Sequence, residues 1–223
     1  MLRYRQRPKG RFSPMNALAP TAGKSRESTE DRRAAIAIAA RDLIVEKGFE
    51  GLRTRDIAER VGINIATLHY HVPSKEALIG LVAEYLKAEF VAQSRAHDRE
   101  GLSPTALIEL EFDDYAELLG EKSYLLTVMS ELMERARRDA AIRAGMGPMM
   151  GKWKEIVTGI LDQGKVAGDF RPDLDAVPAA QMLIGAMVGF SRAPGASPEN
   201  FKRLRAELLR AVGNPDRKLS KDQ

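Results

Sequence analysis

Between Ser28 and Val212 the chain repeats one unit: a capping residue, apolar residues three and four apart, then a Gly or Pro stop. No stretch alternates apolar and polar residues convincingly enough for a half-buried strand, so the pattern predicts an all-α protein. Ser28 or Thr29 opens a first helix in which Ile36, Ala40, Leu43 and Ile44 share a face, and Lys47-Gly48 ends it. Thr54 opens a short helix through Val61 with Ile57, Ala58 and Val61 inward, and Gly62 permits a sharp turn. Asn64 caps a third helix, Ile65 to His71, which Val72-Pro73 terminates because proline lacks the amide donor and constrains its predecessor. Ser74 caps a long fourth helix with an apolar stripe of Leu78, Leu81, Val82, Tyr85, Leu86 and Phe90, ending before the polar stretch Ser94 to Gly101.

Five more helices follow. Ser103-Pro104 opens one to about Gly120, Ser123 another through Arg138, and Pro148 a long one to Gly168. Asp175 caps the next, to about Phe190, and Ser197-Pro198 begins the last, to about Val212. The run Gly145 to Lys152 is read as a break between two helices. The expected organisation is an N-terminal arm (1–27), a small three-helix unit (28–73), a larger helical unit (74–213) and a polar tail (214–223).

Composition narrows the chemistry. With no cysteine among 223 residues, disulfides, Cys-ligated zinc, iron–sulfur clusters and thiol catalysis are excluded. No stretch approaches the roughly 18 uninterrupted apolar residues of a spanning helix, and Met1 to Pro20 lacks the apolar centre of a secretory signal. A cytoplasmic protein without membrane partners is expected. His69 and His71 are two apart on one helix and diverge, and His97 is the only other histidine, so no metal site is expected. The segment Gly145 to Trp153 misses phosphate-loop spacing, and neither a nucleophile elbow nor a dinucleotide fingerprint occurs. Neither catalysis nor a cofactor is expected.

The charge is unevenly placed. Residues 1 to 26 carry Arg3, Arg5, Arg7, Lys9, Arg11, Lys24 and Arg26 with no acid, leaving 28 basic against 31 acidic residues in the rest. Such an arm finds a polyanion by charge alone; alternatively Met15 is the true start and the arm a solvated extension.

A long helix bracing two short ones across a glycine turn is the helix-turn-helix arrangement, whose second short member enters the DNA major groove. At these residues the chain resembles the TetR family of bacterial transcriptional regulators. The resemblance runs through Thr54-Arg-Asp-Ile-Ala-Glu-Arg-Val-Gly62, Ala66-Thr-Leu-His-Tyr-His-Val72 and Ser74-Lys-Glu-Ala-Leu78, and covers about Ser28 to Phe90 strongly. It departs from the family at Ile65, where a small or basic pair is common, and at His69, where Tyr is common.

The candidate DNA surface comprises Thr54, Asn64, Ile65, Ala66, Thr67, His69, Tyr70, His71 and Lys75. Thr54, with the amides opening its helix, and Lys75 suit backbone phosphates. Ile65, Ala66, Thr67 and Tyr70 suit base edges, Ile65 a thymine methyl in particular, while Leu68 and Val72 point inward. His69 and His71 either donate to phosphate or are ordinary surface and half-packed histidines.

The resemblance implies nine helices, a DNA-binding head and an all-helical effector and dimerisation domain. The last two helices carry Ala179, Met182, Leu183, Ala186, Met187 and Phe190, then Phe201, Leu204, Leu208 and Val212. These stripes suit a two-fold four-helix interface, with Gly185 and Gly189 permitting close approach, or equally an internal core. An effector pocket is expected between Ser103 and Gly168, lined by Phe112, Tyr115, Tyr124, Met129, Met133 and Trp153. Glu111 falls within an apolar arc and would meet a polar or cationic ligand group, unless it serves an internal arginine pair or the rim. The function expected is a homodimeric repressor that binds a palindromic double-stranded DNA operator and is released by an unknown small-molecule effector. The alternative is an architectural DNA-binding protein without a ligand.

Overall fold

The computed structural model describes residues 28–216. The arm expected over 1–27 and most of the tail expected over 214–223 lie outside the described residues. Among them run nine α-helices: α1 (Thr29–Lys47), α2 (Thr54–Val61), α3 (Ile65–His71), α4 (Lys75–Arg95), α5 (Pro104–Leu119), α6 (Ser123–Ala136), α7 (Ala140–Ala167), α8 (Ala176–Ser191) and α9 (Pro198–Val212). A 3₁₀ turn, Phe49–Gly51, links α1 to α2, and one isolated bridge joins Phe170 to Gly213. The fold is all-α.

Local chemistry sets most helix starts. Ser28 and Asp31 form a reciprocal capping box, and the side chains of Asn64, Ser74, Ser103, Asp175 and Ser197 each accept an amide of the first turn of α3, α4, α5, α8 and α9. Gly62 takes φ 73°, the left-handed conformation that glycine reaches without penalty, and this ends α2 and lets the chain turn into α3.

The main correction concerns α7. It begins at Ala140 rather than Pro148, and Pro148 lies inside it. Asp139 is the start signal: its carboxylate accepts the amides of Ala141 at 2.9 Å and Ile142 at 3.2 Å. Pro148 forfeits one helical hydrogen bond, but it is exposed, and buried Ile142 and Met146 hold the first turns in the core. The glycine-rich run that looked like a break is therefore helical. Smaller shifts occur at the end of α4, which continues to Arg95, and of α6, which stops at Ala136.

The head packs α1 against α2, α3 and α4 through Ile36, Ala40, Leu43, Ile57 and Leu68, each essentially inaccessible. In the body, α7 is the central post and packs on α4, α5, α6 and α8. Gly164 is required there: a Cβ would stand 2.1 Å from the buried Phe170 ring. Phe170 in turn anchors the α7–α8 connector, with Arg171 N donating to Val212 O at 3.0 Å and Asn214 N to Asp169 O at 3.1 Å. Asn214, the first residue of the expected tail, is thus tied to the body.

Candidate DNA interface and ligand cavity

The recognition helix is short because Pro73 stops it, and it divides sharply between two environments. Leu68 and Val72 are buried in the head, whereas Tyr70 is 81% exposed and Ile65 41% exposed. Ala66 and His69 are also exposed, and Thr67 and His71 are half-buried. Asn64 is committed to its cap, its Oδ1 accepting the Thr67 amide at 2.7 Å. The Tyr70 ring stands edge-on to His71, 5.2 Å between centroids, and the His71 carbonyl accepts Arg33 of α1 at 3.1 Å. Tyr70 is thus an outward aromatic on a helix held from behind.

The start of α2 is open. No side chain caps it, so its first amides, the exposed Thr54 hydroxyl and the exposed Arg53 and Arg55 form one surface. The sequence reading named Thr54 and missed the two arginines that flank it. Their signal was available, since arginines at the first turn of a helix beside open amides suit phosphate. Lys75 is exposed as expected, with Nζ 5.4 Å from the Phe49 ring. Behind this face, Arg60 pairs bidentately with Glu46 at 2.8 Å and Lys47 with Asp56 at 2.6 Å, fixing α2 to α1. The guanidinium of Arg60 holds the Glu46 carboxyl below its ordinary range, and Lys47 does the same for Asp56.

The head is coupled to the body by aromatic and ionic contacts. Arg41 of α1 donates to the Tyr85 hydroxyl at 2.6 Å and lies 4.6 Å from the Tyr124 ring centroid. The Phe49 amide donates to Glu131 at 3.3 Å, and Arg135 covers the Phe49 ring at 4.1 Å while pairing with Glu50. Each contact joins the head, or the turn that leaves it, to α4 or α6.

A cavity of about 580 Å³ lies between α4, α5, α6 and α7. Of the expected lining, Glu111, Tyr115, Met129 and Trp153 are there. Three residues are not. Phe112 is buried on the other side of α5, edge-on to Phe201 of α9 at 6.1 Å. Tyr124 is turned to Arg41 at the head junction, and Met133, one turn beyond Met129, falls outside the lining. The reading missed the α4 wall, Lys87, Phe90, Val91 and Ser94, and the Pro148-Met149-Met150 stretch of α7. Phe90 had been assigned to an apolar core stripe, and the α7 stretch to a helix break.

Glu111 sits in an internal cluster. Its Oε1 accepts Arg99 at 2.6 Å and its Oε2 accepts Trp153 Nε1 at 2.9 Å. Arg99 also donates to Asp114 Oδ2 at 2.6 Å, and Asp114 Oδ1 lies 3.0 Å from Nδ1 of His97. Burial pushes the Asp114 carboxyl up from its ordinary value, against the pull of Arg99. The expected open carboxylate is replaced by the arginine pair that was its alternative.

Of the expected dimer stripe, Ala179, Leu183, Met187, Phe201, Leu208 and Val212 are buried within the chain and belong to its core. Met182, Gly185 and Gly189 stay exposed, with Ala186, Phe190 and Leu204 half-buried beside them.

A helix-turn-helix head joined through one shared helix to an all-helical body with a cavity defines a DNA-binding regulator architecture. Residues 36–82 match the family described as bacterial regulatory proteins, tetR family. The chain is 26% identical over 164 residues to the HTH-type transcriptional repressor KstR2 of Rhodococcus jostii, a match covering 73% of this chain and 77% of that protein. It is 36% identical over 89 residues to the HTH-type transcriptional regulator RutR of Escherichia coli, covering 40% of this chain and 42% of that one. Its fold is similar to a transcriptional regulator of Saccharomonospora viridis solved in complex with choline, with TM-score 0.75, 20% identity, and coverage of 82% and 98%. It is also similar in fold to the ketosteroid transcriptional regulator KstR2 of Mycobacterium tuberculosis, with TM-score 0.65, 19% identity, and coverage of 84% and 97%. Over residues 36–82 the chain is thus similar to the tetR family of bacterial regulatory proteins, and the relatives it matches are transcriptional regulators.

Proposed function

We propose that the protein is a ligand-responsive repressor that binds a palindromic operator as a homodimer and leaves it when a small molecule occupies the body cavity. The observation that carries this reading is α4: exposed Lys75 opens it four residues after the end of α3, and Lys87, Phe90, Val91 and Ser94 near its other end wall the cavity. One helix thus runs from the proposed DNA face to the cavity and offers a route by which occupancy of one biases the other. Dimerisation uses the outer face of α8 and α9, where Met182, Gly185 and Gly189 remain free of the core. Two heads then read two half-sites one DNA turn apart. Base edges meet Ile65, Ala66, Thr67 and Tyr70; phosphates meet Thr54, Lys75, His69 and His71. The basic arm of residues 1–26 adds phosphate contacts. The protein works in the cytoplasm, with no catalytic activity of its own.

The test is selection of random duplex DNA by the purified full chain, followed by sequencing. An inverted repeat with half-site centres about 10 base pairs apart supports the reading. Uniform retention of every sequence with a steep salt dependence supports the architectural alternative.

A further inference from the structure

The cavity is a lopsided electrostatic environment. Most of its lining is apolar, with Phe90, Val91, Leu118, Met129, Met149, Met150 and Trp153 supplying the walls, and its charges fall at two places. At one, Arg99 closes the cluster with Glu111 and Asp114, and its Nε also donates to Ser94 O at 3.3 Å, tying the cluster to the end of α4. Both Glu111 oxygens are engaged, and the two Asp114 oxygens face Arg99 and His97. Arg99 bridges the two carboxylates, and only Asp114 Oδ1, 3.0 Å from His97 Nδ1, is left without a hydrogen bond, so a cationic ligand entering here competes with a guanidinium already held by strong charge-assisted bonds.

The other place is Lys87. It shares one stripe of α4 with Phe90, Val91 and Ser94, at spacings of three, four and seven residues, so its stem continues the apolar wall. Its neighbour one turn back, Glu84, is drawn to Arg33 of α1 at 3.9 Å. Among the described residues, Lys87 is the lining charge for which no ion pair is formed; Lys152 holds Glu155 at 3.4 Å. Seven residues separate Lys87 from Ser94, about 10 Å along the helix. Lys87, exposed at the cavity mouth, thus lies at one end of the α4 wall and the Arg99-bridged cluster at the other, with apolar residues between them.

We infer that the effector is an apolar molecule with one anionic end, of the carboxylate class, its body lying along Phe90, Val91 and Met129 and its carboxylate meeting Lys87. This rests on the reading of the cavity as the effector site and names the ligand class for it. It also reverses the charge that the sequence reading of Glu111 suggested. A carboxylate gains an ammonium partner at the edge of an apolar wall, whereas a matched alcohol gains only the wall.

The experiment follows the fluorescence of Trp153, the only tryptophan in the chain, while the full-length protein is titrated with decanoate, decanol and decyltrimethylammonium below their micellar concentrations. Decanoate is expected to bind at least fivefold more tightly than decanol, and the ammonium no more tightly than the alcohol. Lys87→Met is expected to bring the decanoate-to-decanol ratio close to one. The inference is overturned if the ammonium binds tightest, or if the ratio in Lys87→Met equals that of the unsubstituted protein. If none of the three alters Trp153, both the ligand class and the cavity's role as effector site fall. If decanoate binds as expected but does not release selected DNA, the ligand class stands and the coupling to repression fails.

Discussion

The head and the body are built from the same helices and capping residues, yet they commit their side chains in opposite ways. In the head, the proposed DNA contacts face outward: Tyr70 is 81% exposed on a seven-residue helix whose Leu68 is wholly buried. In the body, the proposed ligand contacts face inward, and residues of four helices converge on a cavity in which Arg99, Glu111 and Asp114 pair with one another. A surface site is set by one helix and its cap. An internal site is set by how several helices meet, so small differences in rotation decide whether a residue such as Phe112 lines the cavity or turns away.

The contrast is sharpest at the ion cluster. Arg99→Ala leaves the partly buried Glu111 and Asp114 carboxylates without their common partner and is expected to cost about 3 kcal/mol in chemical denaturation. A loss near zero would mean that these carboxylates are solvated. In the head, Leu68→Ala opens a cavity beneath the recognition helix, with an expected loss of about 2 to 3 kcal/mol. Tyr70→Ala should leave the melting temperature unchanged and alter base preference in DNA selection. Equal destabilisation by the two would show that Tyr70 belongs to the core. Asn64→Ala removes the α3 cap, and an expected loss of about 1 kcal/mol should come with uniformly weaker DNA binding. The smallest effect concerns Glu117, whose carboxyl is held below its ordinary range by Lys122 at 2.8 Å and by Gln93. Its contribution is present above the ordinary carboxylate pKa and is lost as pH falls through the lowered value. Glu117→Gln should therefore flatten the acid limb of the stability–pH curve, and an unchanged limb would mean that the pairing contributes nothing.

Legibility followed the same division. The bounds of α2 and α3 could be read directly because Asn64, Gly62 and Pro73 act within one turn of the residues they control. Pro148 carries a local start signal for α7 that competes with the Asp139 cap nine residues earlier, and what decides between them is remote: Ile142 and Met146 gain burial against the body core. Glu111 was correctly singled out as a carboxylate on an apolar face, but its partner Arg99 sits in the α4–α5 connector, where no periodicity marks it. The α8 and α9 stripes mixed two roles on adjacent positions, since Met187 packs inward while Met182 and Gly189 do not. Helical spacing alone groups such positions together.

If the protein leaves its operator when the cavity is filled, as proposed, occupancy must move the two heads of the dimer away from the operator spacing. Because the chain has no cysteine, Glu59→Cys on the exposed side of α2 places one spin label on each head, and pulsed dipolar spectroscopy reads the distance between them. On a selected operator, the distance is expected to be narrow and compatible with recognition helices about 34 to 36 Å apart. Decanoate at concentrations that saturate the Trp153 signal is expected to shift the distribution of the free dimer away from that value. An identical distribution with decanoate bound, or the absence of any inter-protomer distance, would contradict the account.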